Sequence, residues 1–132
     1  MKILRRGQAS IEFALILPIF AMLLFALVYV GFLFIDVVTL DSAAAAAARD
    51  ASMNDGTVNA TLKEKIKNTT LFLYWYKIDN ESPKIKKETS TDGDEFFTAL
   101  IQAKLTGKAA ENKILKMFLP PAYTVVKTAY KE

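Results

Sequence analysis

The chain has 132 residues, 52% of them hydrophobic and 23% charged, with a formal net charge of +3. It contains no cysteine and no histidine, which excludes disulfides, Cys/His metal sites, thiol nucleophiles and histidine-based acid–base catalysis. Three of the 17 basic residues, Lys2, Arg5 and Arg6, precede Gly7, and the rest only match the 14 acidic ones. The basicity therefore belongs to a leader and does not describe a nucleic-acid-binding surface.

In chain order, the leader ends at Gly7 and is followed by Gln8 and by Glu12 at the start of an apolar run. Residues 13–35 carry no charge. As a helix this stretch covers about 35 Å, enough to cross a bilayer with some tilt and longer than the core of a secretory signal. Lys2, Arg5 and Arg6 place the N-terminus in the cytoplasm, so the segment after Asp36 is expected outside it. Pro18 lacks an N–H and is expected to kink the helix or loosen it locally.

Glu12 is the unusual residue. A carboxylate in hydrocarbon costs roughly 2.5–3.5 kcal/mol on insertion scales, so it calls for a partner. A peptidase acting between Gly7 and Gln8 would create an α-amine at Gln8. Glu12 would then be the fifth residue of the shortened chain, one helical turn from that amine, and within reach of the amine of a neighbouring helix. Such a pair fixes the axial offset between parallel helices that apolar faces alone would let slide.

The stretch RRGQASIEFALILPIF resembles a type IV prepilin-like N-terminus, and more narrowly the TadE family of minor pseudopilins from tight-adherence (Flp) pilus systems. The resemblance rests on Gly7, the Glu12-Phe13 pair and Leu17-Pro18. It implies removal of residues 1–7 by a prepilin peptidase, and it implies other pilin subunits and the pilus assembly platform as partners. Roles in adhesion or secretion are implied in the same way. The major Flp pilins are much shorter and typically carry Glu-Tyr where this chain has Glu12-Phe13, which favours the minor subunit.

Beyond the apolar run, nothing breaks a helix before Asn54-Asp55-Gly56, so one helix is expected from about Ser10 to Met53. The slim run Ala43–Ala48 suggests close packing against neighbouring helices. Further on, Thr61-Leu62-Lys63-Glu64 has the form of a capping box, and Val58, Leu62 and Ile66 mark an amphipathic helix. Leu71–Ile78 reads as a strand, Asp79–Pro83 as a turn and Lys84–Thr91 as a polar edge strand. The spacing of Phe96, Phe97, Leu100, Ile101 and Leu105 suggests a helix capped by Asp92 or Asp94 and ended by Gly107. Ala109–Phe118 resumes as helix, Leu119-Pro120-Pro121 stops it, and Tyr123–Tyr130 is strand-like. Trp75, between Tyr74 and Tyr76, is expected to pack in a core.

The expected architecture is mainly α with an α+β head: a long N-terminal transmembrane helix extending out of the membrane, then short helices and about three antiparallel strands. The boundaries are a cleaved leader over 1–7, the long helix over 8–56 and an extracytoplasmic head over 57–132. The expected function is a minor pilin or pseudopilin of the cytoplasmic membrane with a single span, in contact with lipid and with pilus components. No enzyme, cofactor, metal, nucleic acid or small-molecule substrate is expected. The alternatives are another prepilin-like subunit, such as a type II secretion pseudopilin or an archaeal pilin, and an uncleaved signal-anchored binding protein.

Overall fold

A computed structural model describes residues 2–69 and 73–131. Helix α1 runs from Lys2 to Met53 and continues through Pro18. The helix thus starts earlier than the Ser10 expected, and it stops where Asn54-Asp55-Gly56 suggested. Asp55 and Gly56 both adopt positive φ, 51° and 90°, and the Gly56 N–H donates to the Ala51 carbonyl at 2.8 Å. This is the left-handed reversal that satisfies terminal carbonyls. A Cβ at Gly56 would lie 3.0 Å from Phe97 Cε1, so glycine is required there twice over.

The chain forms two compact units, residues 1–33 and 34–132. In the first unit the large apolar side chains are exposed. This is the pattern of a helix made for a nonaqueous environment, and the helix is long and apolar enough to cross a membrane.

The second unit contains the end of α1 and all that follows. Helix α2 covers Ala60–Thr69. Strand β1 is Tyr76–Ile78, β2 is Lys84–Thr89 and β3 is Glu95–Leu105. Two short helices, α3 (Gly107–Glu111) and α4 (Lys113–Phe118), precede β4 (Ala122–Tyr130). Every pairing is antiparallel and every one involves β3. β2 pairs with residues 95–100 of β3 and β1 with residues 103–105, while β4 pairs with residues 96–104. The two short strands thus follow one another along one edge of β3, and β4 takes the other. The expected count of three becomes four because residues 95–105, expected as a helix, form β3.

The Asp79–Pro83 turn bridges that split. Asp79 N–H donates to the Gln102 carbonyl at 2.8 Å, and Ser82 Oγ accepts from the Gln102 N–H at 3.0 Å. The strand expected over Leu71–Ile78 is limited to Tyr76–Ile78, with Leu73–Trp75 irregular and Leu71 and Phe72 outside the described residues.

The stretch expected as a helix from Phe96 to Leu105 is instead the central strand. Phe97, Ala99, Ile101 and Ala103 alternate on one face and are fully buried. Thr98 and Leu100, on the other face, are also largely covered. A strand covered on both faces reads as a nearly continuous apolar run, and such a run offers matches to a helical template as well. Asp92 and Asp94 belong to the β2–β3 hairpin, where the Ser90 N–H donates to the Asp94 carbonyl at 2.8 Å and Gly93 has φ 90°. Gly107 begins a helix rather than ending one.

α2 is capped by Asn59, whose Oδ1 accepts from the Thr61 N–H at 3.1 Å. Thr61 is therefore inside the helix, and the expected capping box does not form: the cap lies two residues earlier, with Leu62 at the position a Glu or Gln would need. Ile66 is buried with Val58 and Leu62 half-covered, so the expected apolar stripe does face inward.

The core lies between the end of α1 and the inner sheet face. Leu40, Ala43, Ala44, Ala47, Ala48 and Ala51 are buried at helical spacing. Asp41 pairs with Lys127 of β4 at 2.9 Å, tying helix to sheet. This corrects the expectation for Ala43–Ala48. The buried side of that run is covered by the chain's own head, and only Ala45 and Ala46 remain exposed. Alanine suits this role because it permits close helix–sheet approach with no side-chain entropy to lose.

At the Gly56 end, Lys131 Nζ bonds Asp55 at 2.7 Å and Glu95 at 3.1 Å, and Lys87 bonds Glu95 at 2.7 Å. These hydrogen bonds, with the accompanying charge attraction, hold the Asp55 and Glu95 carboxyls below their ordinary range and raise the Lys131 ammonium.

Candidate functional site

The residues singled out at the N-terminus fall on the first turns of α1. Lys2, Arg5 and Arg6 lie on its backbone, and nothing is described of their side chains. Gly7, Gln8, Glu12, Phe13 and Pro18 are all helical and exposed. Gln8 stands directly over Glu12, with Gln8 Nε2 donating to Glu12 Oε1 across a long 3.4 Å. Residues four apart share a helix face, and this contact places position 8 on the face of the Glu12 carboxylate.

Gly7 is notable for what the fold does not ask of it. A Cβ added there would meet nothing within 4 Å, and its φ is not positive. Glycine in a helix interior costs about 1 kcal/mol relative to alanine, so Gly7 locally weakens α1 without a packing return. Phe13, Leu15, Ile16, Ile19, Phe20, Leu23 and Phe25 are mostly exposed, so the fold of the chain itself does not explain their size. Their explanation lies in lipid or in other helices.

A second constellation was missed in the sequence. Asp36, read there as a boundary marker, is 0% exposed. Its Oδ1 accepts from the Tyr74 N–H at 2.8 Å and its Oδ2 from the Trp75 N–H at 2.7 Å. One carboxylate thus gathers two backbone donors from a segment that makes no strand there, and such charge-assisted bonds are stronger than neutral ones. The Trp75 carbonyl accepts in turn from the Thr106 N–H at 2.8 Å. Tyr76 is buried beside it, and its hydroxyl donates to the Pro120 carbonyl at 3.0 Å. The expectation that Trp75 packs into a core is met in part, since it is half-covered and Tyr76 is the fully buried aromatic. Asp36 was legible in principle: it continues the buried series of Leu40, Ala43, Ala44 and Ala47 one turn toward the N-terminus.

Among the described residues, no three Asp or Glu side chains gather to hold a metal ion. The Asp36 arrangement is one of anchoring.

Comparison with known proteins finds a match over the N-terminal stretch. The model of a family described as TadE-like protein matches residues 7–49. The matched stretch begins at the glycine and contains Glu12, Pro18, Asp36 and all of the alanine run. No curated protein and no solved structure matches the chain.

Proposed function

We propose that this chain, TadE-like over residues 7–49 and so associated with Tad pilus systems, is a minor pilin or pseudopilin cut between Gly7 and Gln8 by a prepilin peptidase. The observation that carries the reading is the stacking of position 8 on Glu12, within a segment that matches the family. Hydrolysis of the Gly7–Gln8 amide consumes one water, leaves a carboxylate on Gly7 and frees an α-ammonium at Gln8. That cation then lies one turn from the Glu12 carboxylate, or from the carboxylate of a neighbouring protomer. Either charge alone is costly in hydrocarbon, and pairing offsets much of that cost.

Gly7 serves the cut in two ways. It has no side chain to hinder an extended backbone entering a narrow active site. It also lowers the cost of unwinding α1 at the junction, because glycine is a poor helix former. Lys2, Arg5 and Arg6 hold the leader in the cytoplasm, and Phe13–Ile35 anchors the precursor with the head on the outer side. The domains follow as a leader over 1–7, a membrane and extended helix over 8–56 and a head over 57–132. In the assembled state the apolar helices pack together, with Glu12 setting their axial offset and Pro18 providing local give. The head is left to contact other subunits or the assembly platform.

The test is Glu12→Ala in cells making the native system. Insertion and cleavage persist and pilus assembly falls on this account. Normal piliation by the variant would rule out the register role.

A further inference from the structure

Helix α4 carries its apolar stripe on the wrong side for a soluble domain. Ile114, Met117 and Phe118, at spacing i, i+3, i+4, are 70%, 83% and 72% exposed. Leu115, between them in sequence, turns inward and is half-covered. The helix is not loosely held. Asn112 Oδ1 accepts from the N–H groups of Ile114 and Leu115 at 3.0 and 3.4 Å, and the Leu119 N–H donates to the Leu115 carbonyl at 2.8 Å. Lys113 and Lys116 flank the stripe, and no acidic residue occurs from Asn112 to Pro121.

Its place in the head matters as much as its composition. Leu115 lines the same shallow hollow as Tyr74 and Trp75. The backbone N–H groups of those two residues are the ones held by Asp36. Asp36 directly follows the uncharged apolar run of residues 13–35. α4 therefore lies at the end of the head where the chain enters its apolar segment. The opposite end, where α1 stops at Met53 just before Gly56, is about 26 Å further along α1 than Asp36 at the usual helical rise.

We propose that α4 docks the head onto the bilayer that holds the apolar helix, and that the surface it takes is one of anionic phospholipid. Ile114, Met117 and Phe118 enter the boundary between headgroups and acyl chains, while Lys113 and Lys116 meet lipid phosphates. Exposed Tyr74 and half-covered Trp75 sit alongside, as aromatic residues at membrane interfaces do. The contact confines the head to the membrane until the subunit is extracted for assembly. It rests on the reading of Phe13–Ile35 as a membrane span and needs neither cleavage nor a pilus.

The absence of native cysteine makes the test direct. Full-length Met117→Cys, Leu23→Cys and Glu88→Cys variants carry one fluorophore each, in single-copy nanodiscs of phosphatidylethanolamine and phosphatidylglycerol containing nitroxide-bearing lipid. Leu23 reports the span, and Glu88, paired with Phe96 in the hairpin, reports the Gly56 end. The Met117 label is expected to be quenched by the lipid nitroxides and to be at least about fivefold less accessible to iodide than the Glu88 label. Replacing phosphatidylglycerol with phosphatidylcholine, or combining Lys113→Glu with Lys116→Glu, is expected to reverse most of that protection. A Met117 label as open to iodide as Glu88, with Leu23 in lipid, overturns the docking and leaves the span standing. A Leu23 label in water overturns both. Protection insensitive to lipid charge overturns the anionic assignment, and protection that appears only with several copies per disc assigns the stripe to a second subunit instead.

Discussion

Removing the Asp36 carboxylate should loosen the head where it joins the long helix. Asp36→Ala strips the partner from two backbone N–H groups, those of Tyr74 and Trp75. A donor left unsatisfied costs about 1–3 kcal/mol, and the exposed Tyr74 side lets water recover part of it, so the expected loss is about 2–4 kcal/mol. Asp36→Asn preserves volume and keeps one acceptor oxygen, but it turns an N–H donor toward one of the two amides. Its expected cost is about 1–2 kcal/mol, which for a unit of this size lowers the melting midpoint by roughly 5–15 °C. Urea titration of the full chain in detergent, followed by the emission of Trp75, reads both effects, because Trp75 is the only tryptophan. Hydrogen exchange at the Tyr74 and Trp75 amides should accelerate in both variants. If Asp36→Asn stays within about 0.5 kcal/mol of the parent and those amides keep their protection, Asp36 is no anchor and merely marks the end of an apolar segment.

Other substitutions test the core and the far end of the head. Ala47→Leu places four-carbon bulk at a fully buried helix–sheet contact and should cost about 1–3 kcal/mol in the same urea titration, whereas Ala46→Leu on the exposed side should stay within about 0.5 kcal/mol. Gly56→Ala and Gly93→Ala both force a side chain to φ 90°, but only the first also meets Phe97, so thermal unfolding should show it to be the worse by about 1 kcal/mol or more. The Asp55 carboxyl, held by Lys131, and the Glu95 carboxyl, held by Lys87 first and Lys131 second, lie below their ordinary values of 3.8 and 4.5, so this pairing contributes fully above those values and is lost as pH falls through the lowered ones. Lys131 is raised above 10.5, so its share is present below that pH and is lost as pH rises through the higher value. Lys131→Gln should therefore flatten the stability profile in the alkaline window and partly in the acid one, where Lys87 still holds Glu95, and added salt should act in the same direction, since Lys131 and Asp55 are exposed and screened.

The parts of this molecule legible from residues alone are those governed by local rules. An uninterrupted apolar run, an alanine-rich continuation and an Asn-Asp-Gly stop define α1 to its last residue because each acts within one turn of its own position. The Pro-Pro stop before β4 is local in the same sense. The misread strand is different. Residues 96–101 are covered on both faces of β3, and that environment is created by segments tens of residues away. Ala99 and Ala103, which complete the period of two, look like helix formers in isolation. The same nonlocality hid the anchor. Nothing next to Asp36 in sequence announces the two amides that it binds 38 and 39 residues later. The alanine run misled for a related reason: small residues signal close approach but do not say whose surface approaches. The resemblance at the N-terminus was legible because its marks are compact, with Gly7, Glu12-Phe13 and Leu17-Pro18 inside little more than three helical turns.

The central claim is that the working form of the protein starts at Gln8, with its new α-amine beside Glu12. Intact-mass measurement of protein recovered from its native membrane, together with N-terminal sequencing, tests this most directly. The account predicts a chain lacking residues 1–7 and beginning Gln8-Ala9-Ser10. A chain that retains Lys2, Arg5, Arg6 and Gly7 in cells with an active prepilin peptidase would contradict it.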